Sequence, residues 1–195
     1  MIKHDAIRRA LGAAWVLIFL TSFLLPMGIA RGAPQAQADA TETAEPAPYV
    51  AVLMADGDRM GAVISAMTSP AAHSELSEAV SAFASEAREI ILENRGVPVY
   101  TGGDDVFAFL PIDTALKTTR LLHDRFDKKM AELFPNPSFP PPTLSVGIAI
   151  GHCLEPLEDL RAMAKEAEKA AKTPRIWDKP GEERDGLAIV LAPRG

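Results

Sequence analysis

Carboxylates lie beside glycines at the ends of two apolar segments of this chain. The run at 49–55 is followed by Asp56-Gly57-Asp58, and a second pair, Asp104-Asp105, directly follows Gly102-Gly103. Carboxylate oxygens bind hard divalent cations such as Mg²⁺, and glycine lets a ligand approach the main chain closely. Two metal ions about 3.5–4 Å apart can stabilise the attacking and the leaving oxygen of an in-line displacement at phosphorus. The two motifs therefore predict a two-metal site for phosphoryl transfer.

The second motif lies between two β-rich apolar runs, at 97–100 and 106–110, which is typical of a tight β-hairpin. The run at 49–55 has the composition of a buried strand. If this strand neighbours the hairpin, we expect Asp56 and Asp104 to face one another across adjacent strands. Both would then reach shared cations.

Two further features could bind phosphates. The loop at 57–61 leads into a helix, whose free backbone N–H groups can bind an anion. Lys169 and Lys172, near the end of a predicted helix at 156–172, could neutralise a triphosphate. The same lysines could also lie on a solvated helix face, where positive charges near the C-terminus interact favourably with the helix dipole. The sequence leaves both interpretations open.

The elements around these motifs alternate between strand and helix. Helical spacing is clearest at 73–94 and at 113–133, where Asp113 or Thr114 is expected to cap the helix and Leu116 and Leu121 are among the residues expected to point inward. The pattern predicts an α+β domain with a ferredoxin-like βαββαβ core whose helices cover one face of a mainly antiparallel sheet. The expected elements are strands at 49–55, 143–151 and 186–191, the hairpin at 97–110, and helices at 58–65, 73–94, 113–133 and 156–172.

Composition limits the function classes. The net charge of −6 argues against a broad nucleic-acid-binding surface working alone, although a bound metal would reverse the local field. Cys153 is the single cysteine, which excludes an intrachain disulfide, and we expect a buried thiol at a strand end.

The N-terminal region conflicts with a nucleotide enzyme. Residues 1–30 resemble a signal peptide or a transmembrane segment, and the uncharged stretch at 10–30 is long enough to cross a bilayer. Residues 31–48 are rich in Pro and Ala and are expected to form a disordered linker. Either interpretation of the first segment places the domain at 49–195 outside the cytoplasm. The alternative is an atypical start of the chain.

Several ordered motifs resemble one known family, the GGDD-bearing palm domain of the large subunit of type III CRISPR effector complexes, Cmr type. The palm is similar to polymerase and GGDEF cyclase palms. The resemblance covers residues 49–195 and rests on five segments: 52–61, 73–77, 100–106, 145–150 and 167–172.

The resemblance implies conversion of ATP, with two divalent metal ions (Mg²⁺ or Mn²⁺), into cyclic oligoadenylates when target RNA is bound. It implies that Asp56, Asp104 and Asp105 are the catalytic metal ligands. It also implies a cytoplasmic protein that works with a second palm domain, supplied by a partner or by self-pairing, and with other type III subunits, crRNA and target RNA. The predicted nucleotide contacts are Gly57, Asp58, Arg59, Gly61, Gly102, Gly103, Lys169 and Lys172.

Two alternatives remain at this point. One is a membrane-tethered, diguanylate-cyclase-like protein. The residues Asp105-Val106 argue against it, because GGDEF proteins have Glu-Phe at these two positions. The other is a palm fragment that binds nucleotide or a partner without turnover. A membrane contact through residues 10–30 belongs to the first alternative.

Overall fold

A computed structural model describes residues 48–135, 141–173 and 184–192. The predicted N-terminal segment at 1–30 and the linker at 31–48, except Pro48, lie outside the described residues. Within the described ranges, no helix combines the length and the apolar character needed to cross a bilayer. The elements are β1 Tyr49–Gly57, α1 Met60–Ala66, α2 Pro70–Glu93, β2 Val97–Gly102, β3 Asp105–Leu110, α3 Ile112–Leu133, β4 Leu144–His152, α4 Leu157–Ala171 and β5 Leu187–Leu191.

The five strands form one sheet in the order β2-β3-β1-β4-β5. β1 is central and antiparallel to both neighbours, so that Leu53 pairs with Ala108 on one side and with Ile148 on the other. The first four strands have the order and directions of a ferredoxin-like βαββαβ core. The predicted α+β palm fold is therefore confirmed, and β5 extends it by pairing in parallel with β4.

The hairpin turn places the aspartates at the end of the sheet. Gly102 pairs with Asp105, which leaves Gly103 and Asp104 as the two turn residues. Gly103 has a φ of 63°, a conformation that glycine adopts without steric cost and that two-residue hairpins need at their first central position. Because β3 pairs with β1, this turn lies beside the end of β1.

One face of the sheet is covered by α2 and α3. The buried side chains of Leu53 and Ala108 lie in the same core cluster as Phe83 of α2 and Phe126 of α3, whose rings meet edge to face with centroids 5.0 Å apart. Helix α2 begins after Ser69, whose side chain accepts a hydrogen bond from the Ala72 N–H. This cap starts the helix three residues before the predicted position.

The prediction that the helices cover a single face was wrong, because α4 packs on the opposite face. Val52 and Ala149 form a second buried cluster there with Leu160 and Ala164 of α4. Gly147 makes this packing close, since a Cβ at that position would lie 2.1 Å from the backbone nitrogen of Glu168. The result is a helix held tightly against β4 and against the central strand β1, which leads into Asp56.

Three smaller expectations were also wrong. Leu116 and Leu121 are exposed, because α3 turns its small residues Ala115, Thr118 and Thr119 to the interior. The threonine hydroxyls donate to backbone carbonyls four residues earlier, which satisfies them where they are buried. Pro111, not Asp113 or Thr114, occupies the cap position of α3. Cys153 is exposed rather than buried.

His123 of α3 forms an ion-pair cluster with the segment that precedes β5. Its Nε2 lies 2.6 Å from Asp185 Oδ1, and its Nδ1 lies 3.6 Å from Asp127 Oδ2. Burial opposes the charged form, but the hydrogen bond to Asp185 and the nearby carboxylates outweigh it and raise the pKa of His123 to about 9. The histidine therefore carries a positive charge at neutral pH.

This cluster predicts a pH dependence of folding. A histidine with a raised folded-state pKa stabilises the fold fully below its unfolded pKa, near 6.5, and loses that contribution as pH rises through about 9. We expect the free energy of unfolding to fall by about 1–2 kcal/mol between pH 6.5 and 9.5, less than the full shift implies because the carboxylates are partly exposed. Urea unfolding across this range measures it, and His123→Gln should flatten the slope. An unchanged slope in that variant would contradict the assignment.

Candidate metal and nucleotide site

Asp56 and Asp105 lie side by side at the end of the sheet. They occupy the positions next to the last β1–β3 pair, Ala55 with Val106, and their carboxyl groups are close enough for each to shift the pKa of the other. By strand alternation both project on the face that carries α4. The expected partner of Asp56 was Asp104. The register differs by one residue because Asp104 belongs to the turn.

Asp104 reaches the same place from the turn. Its carboxylate lies against Gly57, where a Cβ would come within 2.6 Å of Oδ2. The backbone N–H groups of Asp104 itself and of Gly57 hydrogen-bond the Asp104 carboxylate. Gly57 therefore allows the third carboxylate to approach the end of β1, and the structure brings all three predicted metal ligands together.

Helix α4 adds a positively charged side to this carboxylate cluster. Lys172 forms a hydrogen-bonded ion pair with Asp56 Oδ2, and its Nζ lies 2.5 Å from Glu168 Oε1. Glu168 is only 2% exposed, and its second oxygen lies 2.7 Å from the Nζ of Lys165. A buried carboxylate thus holds two lysines beside the aspartates.

The charges at this site perturb one another. Burial would raise the pKa of Asp56, but hydrogen bonds from Lys172 and Asp105 outweigh it and hold the pKa below its ordinary value. Burial, the hydrogen bond with Asp56 and the negative charges of Asp56 and Asp104 raise the pKa of Asp105 to about 6. Burial also raises the pKa of Asp104. Crowded carboxylates whose pKa values move apart are typical of functional sites.

Asp58 occupies a different environment from the other aspartates. It is fully buried, and its Oδ2 accepts hydrogen bonds from the hydroxyls of Thr143 and Ser145 and from the backbone N–H of Asp185. Arg184 lies 3.6 Å from its other oxygen. These contacts connect the end of β1 with β4 and with the segment before β5. The structure gives Asp58 a supporting position, away from the exposed cluster.

The other predicted nucleotide contacts are distributed around the cluster. Arg59 has left-handed backbone angles and precedes α1, a seven-residue helix in which Gly61 faces open space. Lys169 is exposed and forms an ion pair with Glu166 at 2.7 Å, so that Lys172 alone of the two predicted lysines lies at the aspartates.

The backbone of Gly102 and Gly103 lines a cleft beside α2. Its volume is about 440 Å³, and Ser77, Ser81 and Arg88 of α2 contribute polar groups to its wall. This volume falls within the range of small-molecule sites, about 300–1,000 Å³. The cleft lies next to the turn that carries Asp104.

Sequence reasoning missed Glu168 and Lys165. Lys165 and Glu168 are three residues apart, and Glu168 and Lys172 are four apart, a spacing that places all three residues on one face of a helix. The same pattern is common on solvated helices, so the spacing alone did not distinguish a functional face. What distinguishes this face is the burial of Glu168, whose backbone packs closely against Gly147 of β4.

Comparison with known proteins shows the family to which this chain belongs. Residues 49–180 match the family model described as Cas10/Cmr2, second palm domain. The chain belongs to this family. A curated relative of this palm domain, the CRISPR system Cmr subunit Cmr2 of Pyrococcus furiosus, is 31% identical over 179 residues. The match covers 78% of this chain but 19% of that relative, so the palm chain spans about a fifth of the relative's length. The predicted membership in the type III CRISPR palm family is confirmed.

One solved structure supports the fold of this palm domain, and a second is similar to it. A bacterial light-regulated adenylyl cyclase is similar with a TM-score of 0.50 and 16% identity, covering 64% of this chain and 71% of the cyclase chain. A Csm1-Csm4 cassette in complex with cA4 gives a TM-score of 0.49 and 19% identity, covering 71% of this chain and 23% of that chain. At these identities the likeness to the cyclase supports the fold alone.

Proposed function

We propose that this palm domain carries out metal-dependent nucleotidyl transfer from ATP and thereby makes cyclic oligoadenylate as part of a type III CRISPR effector in antiviral defence. The observation that carries the proposal is the convergence of Asp56, Asp104 and Asp105 with Lys172 at one end of the sheet. In such a transfer the 3′-hydroxyl of one nucleotide attacks the α-phosphate of another, and pyrophosphate leaves.

The donor set supports divalent metal ions as cofactors. The three aspartates offer hard carboxylate oxygens, which Mg²⁺ and Mn²⁺ prefer, and the space left by the absent side chain of Gly57 admits Asp104 to the cluster. Asp56, Asp104 and Asp105 would hold two ions. When bound, such ions activate the attacking hydroxyl and neutralise charge on the leaving phosphates.

The positive side chains of α4 would act on the phosphates. Lys172 is 19% exposed and pairs with Asp56 and Glu168, so its ammonium is held at the carboxylates and can donate hydrogen bonds to a phosphate oxygen at the same place. Charge-assisted hydrogen bonds of this kind are among the stronger ones in proteins. Lys172 would therefore orient the triphosphate.

Partners are proposed on family grounds. By analogy with the palm family, the ATP-binding pocket would be completed by a second palm domain, from a partner or from a second copy of this chain. Other type III subunits with crRNA and target RNA would then control its activity.

The test is incubation of the full 195-residue chain with labelled ATP or GTP and Mg²⁺ or Mn²⁺, followed by mass analysis of the products. Linear or cyclic oligoadenylate supports the proposal and shows that copies of this chain complete the site. Metal-dependent ATP binding without product supports a half-site that requires a different palm domain. Cyclic di-GMP, or the absence of metal-dependent ATP binding, would overturn the proposal.

A further inference from the structure

Lys165 occupies a position that the predicted site did not include. It lies on α4, about two helical turns before Lys172 at the C-terminal cap of that helix, and both lysines contact the same buried carboxylate. Glu168 Oε1 is 2.5 Å from the Nζ of Lys172, and Oε2 is 2.7 Å from the Nζ of Lys165. The two ammonium groups are therefore held close together on the side of α4 that faces the aspartates.

The surroundings of Lys165 point toward the carboxylate cluster. Its Nζ contacts the Glu168 carboxylate, whose other oxygen lies 2.5 Å from the Nζ of Lys172, and Lys172 in turn pairs with Asp56. Its side chain is 46% exposed, whereas the Glu168 carboxylate beneath it is almost fully buried. The ammonium group thus sits at the surface above an anchoring carboxylate, open to a ligand from solvent.

We propose that Lys165 is a second phosphate-binding lysine, which together with Lys172 binds the polyphosphate tail of the nucleotide at the carboxylate cluster. This inference rests on the proposed function and specifies its substrate class, a nucleotide with a chain of phosphates rather than a monophosphate. Glu168 acts as the positioning residue, because its carboxylate forms ion pairs with both ammonium groups.

Lys172 already pairs with both Asp56 and Glu168, and Lys165 adds a second, partly exposed ammonium group on the same Glu168 carboxylate. Two neighbouring cations provide separate contacts for consecutive phosphates. A polyphosphate then contacts both lysines, whereas a single phosphate contacts one of them.

The test compares nucleotide affinities in Lys165→Ala with those in the wild-type full chain, in the presence of Mn²⁺ and by isothermal titration calorimetry. We expect ATP to bind about tenfold more weakly and AMP to change less than twofold, because one charge-assisted hydrogen bond is lost only with the longer phosphate chain. Lys165→Arg should restore most of the ATP affinity. Lys128→Ala provides the matched control, since Lys128 is an exposed helical lysine paired with Glu132 on α3.

Each outcome is decisive. Equal losses for ATP and AMP, or no loss for either, would show that Lys165 has only a structural role and would overturn the inference while leaving the proposed function in place. Wild-type protein that binds neither nucleotide would overturn the proposed function and this inference together. Thermal unfolding of each variant verifies folding, and Lys165→Gln, which keeps much of the aliphatic stem, replaces the alanine variant if that variant unfolds.

Discussion

An Asp56→Ala variant is expected to lose metal-dependent ATP binding by about 100-fold or more while remaining folded. Asp56 contacts both carboxylate and ammonium groups of the site, because it interacts with Asp105 and is paired with Lys172. Its side chain is 30% exposed, and Lys172 keeps Glu168 as a partner when Asp56 is removed. The loss should therefore fall on the cation and the phosphates rather than on stability.

Asp113→Ala is the control for this experiment. Asp113 is a partly exposed aspartate paired with Arg95 near the far end of β3, so it matches Asp56 in having one strong cationic partner. Titration of Mn²⁺ in the presence of ATP measures both variants, and urea unfolding reports their folding. Metal-dependent binding that survives in Asp56→Ala would contradict the assignment of Asp56 as a metal ligand.

In a Gly147→Ala variant the free energy of unfolding is expected to fall by about 3 kcal/mol. The added Cβ would lie 2.1 Å from the Glu168 nitrogen and 2.5 Å from the Ala164 carbonyl oxygen, and these are backbone atoms that cannot rotate away. Helix α4 must then move off the sheet. Since α4 carries Lys165 and Glu168 and its C-terminal cap is Lys172, ATP affinity should fall together with stability.

The matched glycine is Gly61, where an added Cβ meets nothing within 4 Å. Gly61→Ala should leave the free energy of unfolding unchanged or raise it by about 0.5–1 kcal/mol, because alanine is the better helix former. Differential scanning calorimetry compares the two variants. A Gly147→Ala protein as stable as Gly61→Ala would mean that α4 is not packed as closely as described.

The fold was largely predictable because local pattern and tertiary packing agree. The alternating hairpin, the turn glycines and the helical stripe of α2 all specify the elements that form. The side of the sheet that receives α4 was not predicted, although β4 carried a signal. Ser145, Gly147 and Ala149 place small residues on one face of that strand, which allows a helix to approach closely. Small residues are also common on solvent-facing strands, so the pattern alone does not identify a helix-packing face.

The positions of the candidate site residues were predictable where they follow from local sequence, and less so where they depend on packing between distant segments. Asp56, Asp104 and Asp105 follow strand ends and a turn, and sequence alone placed them at one edge. The pairing of Asp56 with Asp105 rather than Asp104 depends on which two residues form the turn, a difference of one position in register. The burial of Asp58 and Glu168 depends on contacts with segments distant in sequence, which no local pattern encodes.

The network around Asp58 has a consequence for how this domain can be divided or transplanted. The backbone N–H of Asp185 donates to the same buried carboxylate oxygen as Thr143 and Ser145, and the carbonyl of Gly186 receives a hydrogen bond from Val146. A chain cut after the four-stranded core would leave the carboxyl group of Asp58, two residues from Asp56, with one hydrogen-bond donor fewer. A fragment transferred to another protein should therefore extend through Leu191. A chimera that contains only the hairpin and β1 would have the acidic residues without the contacts that orient them.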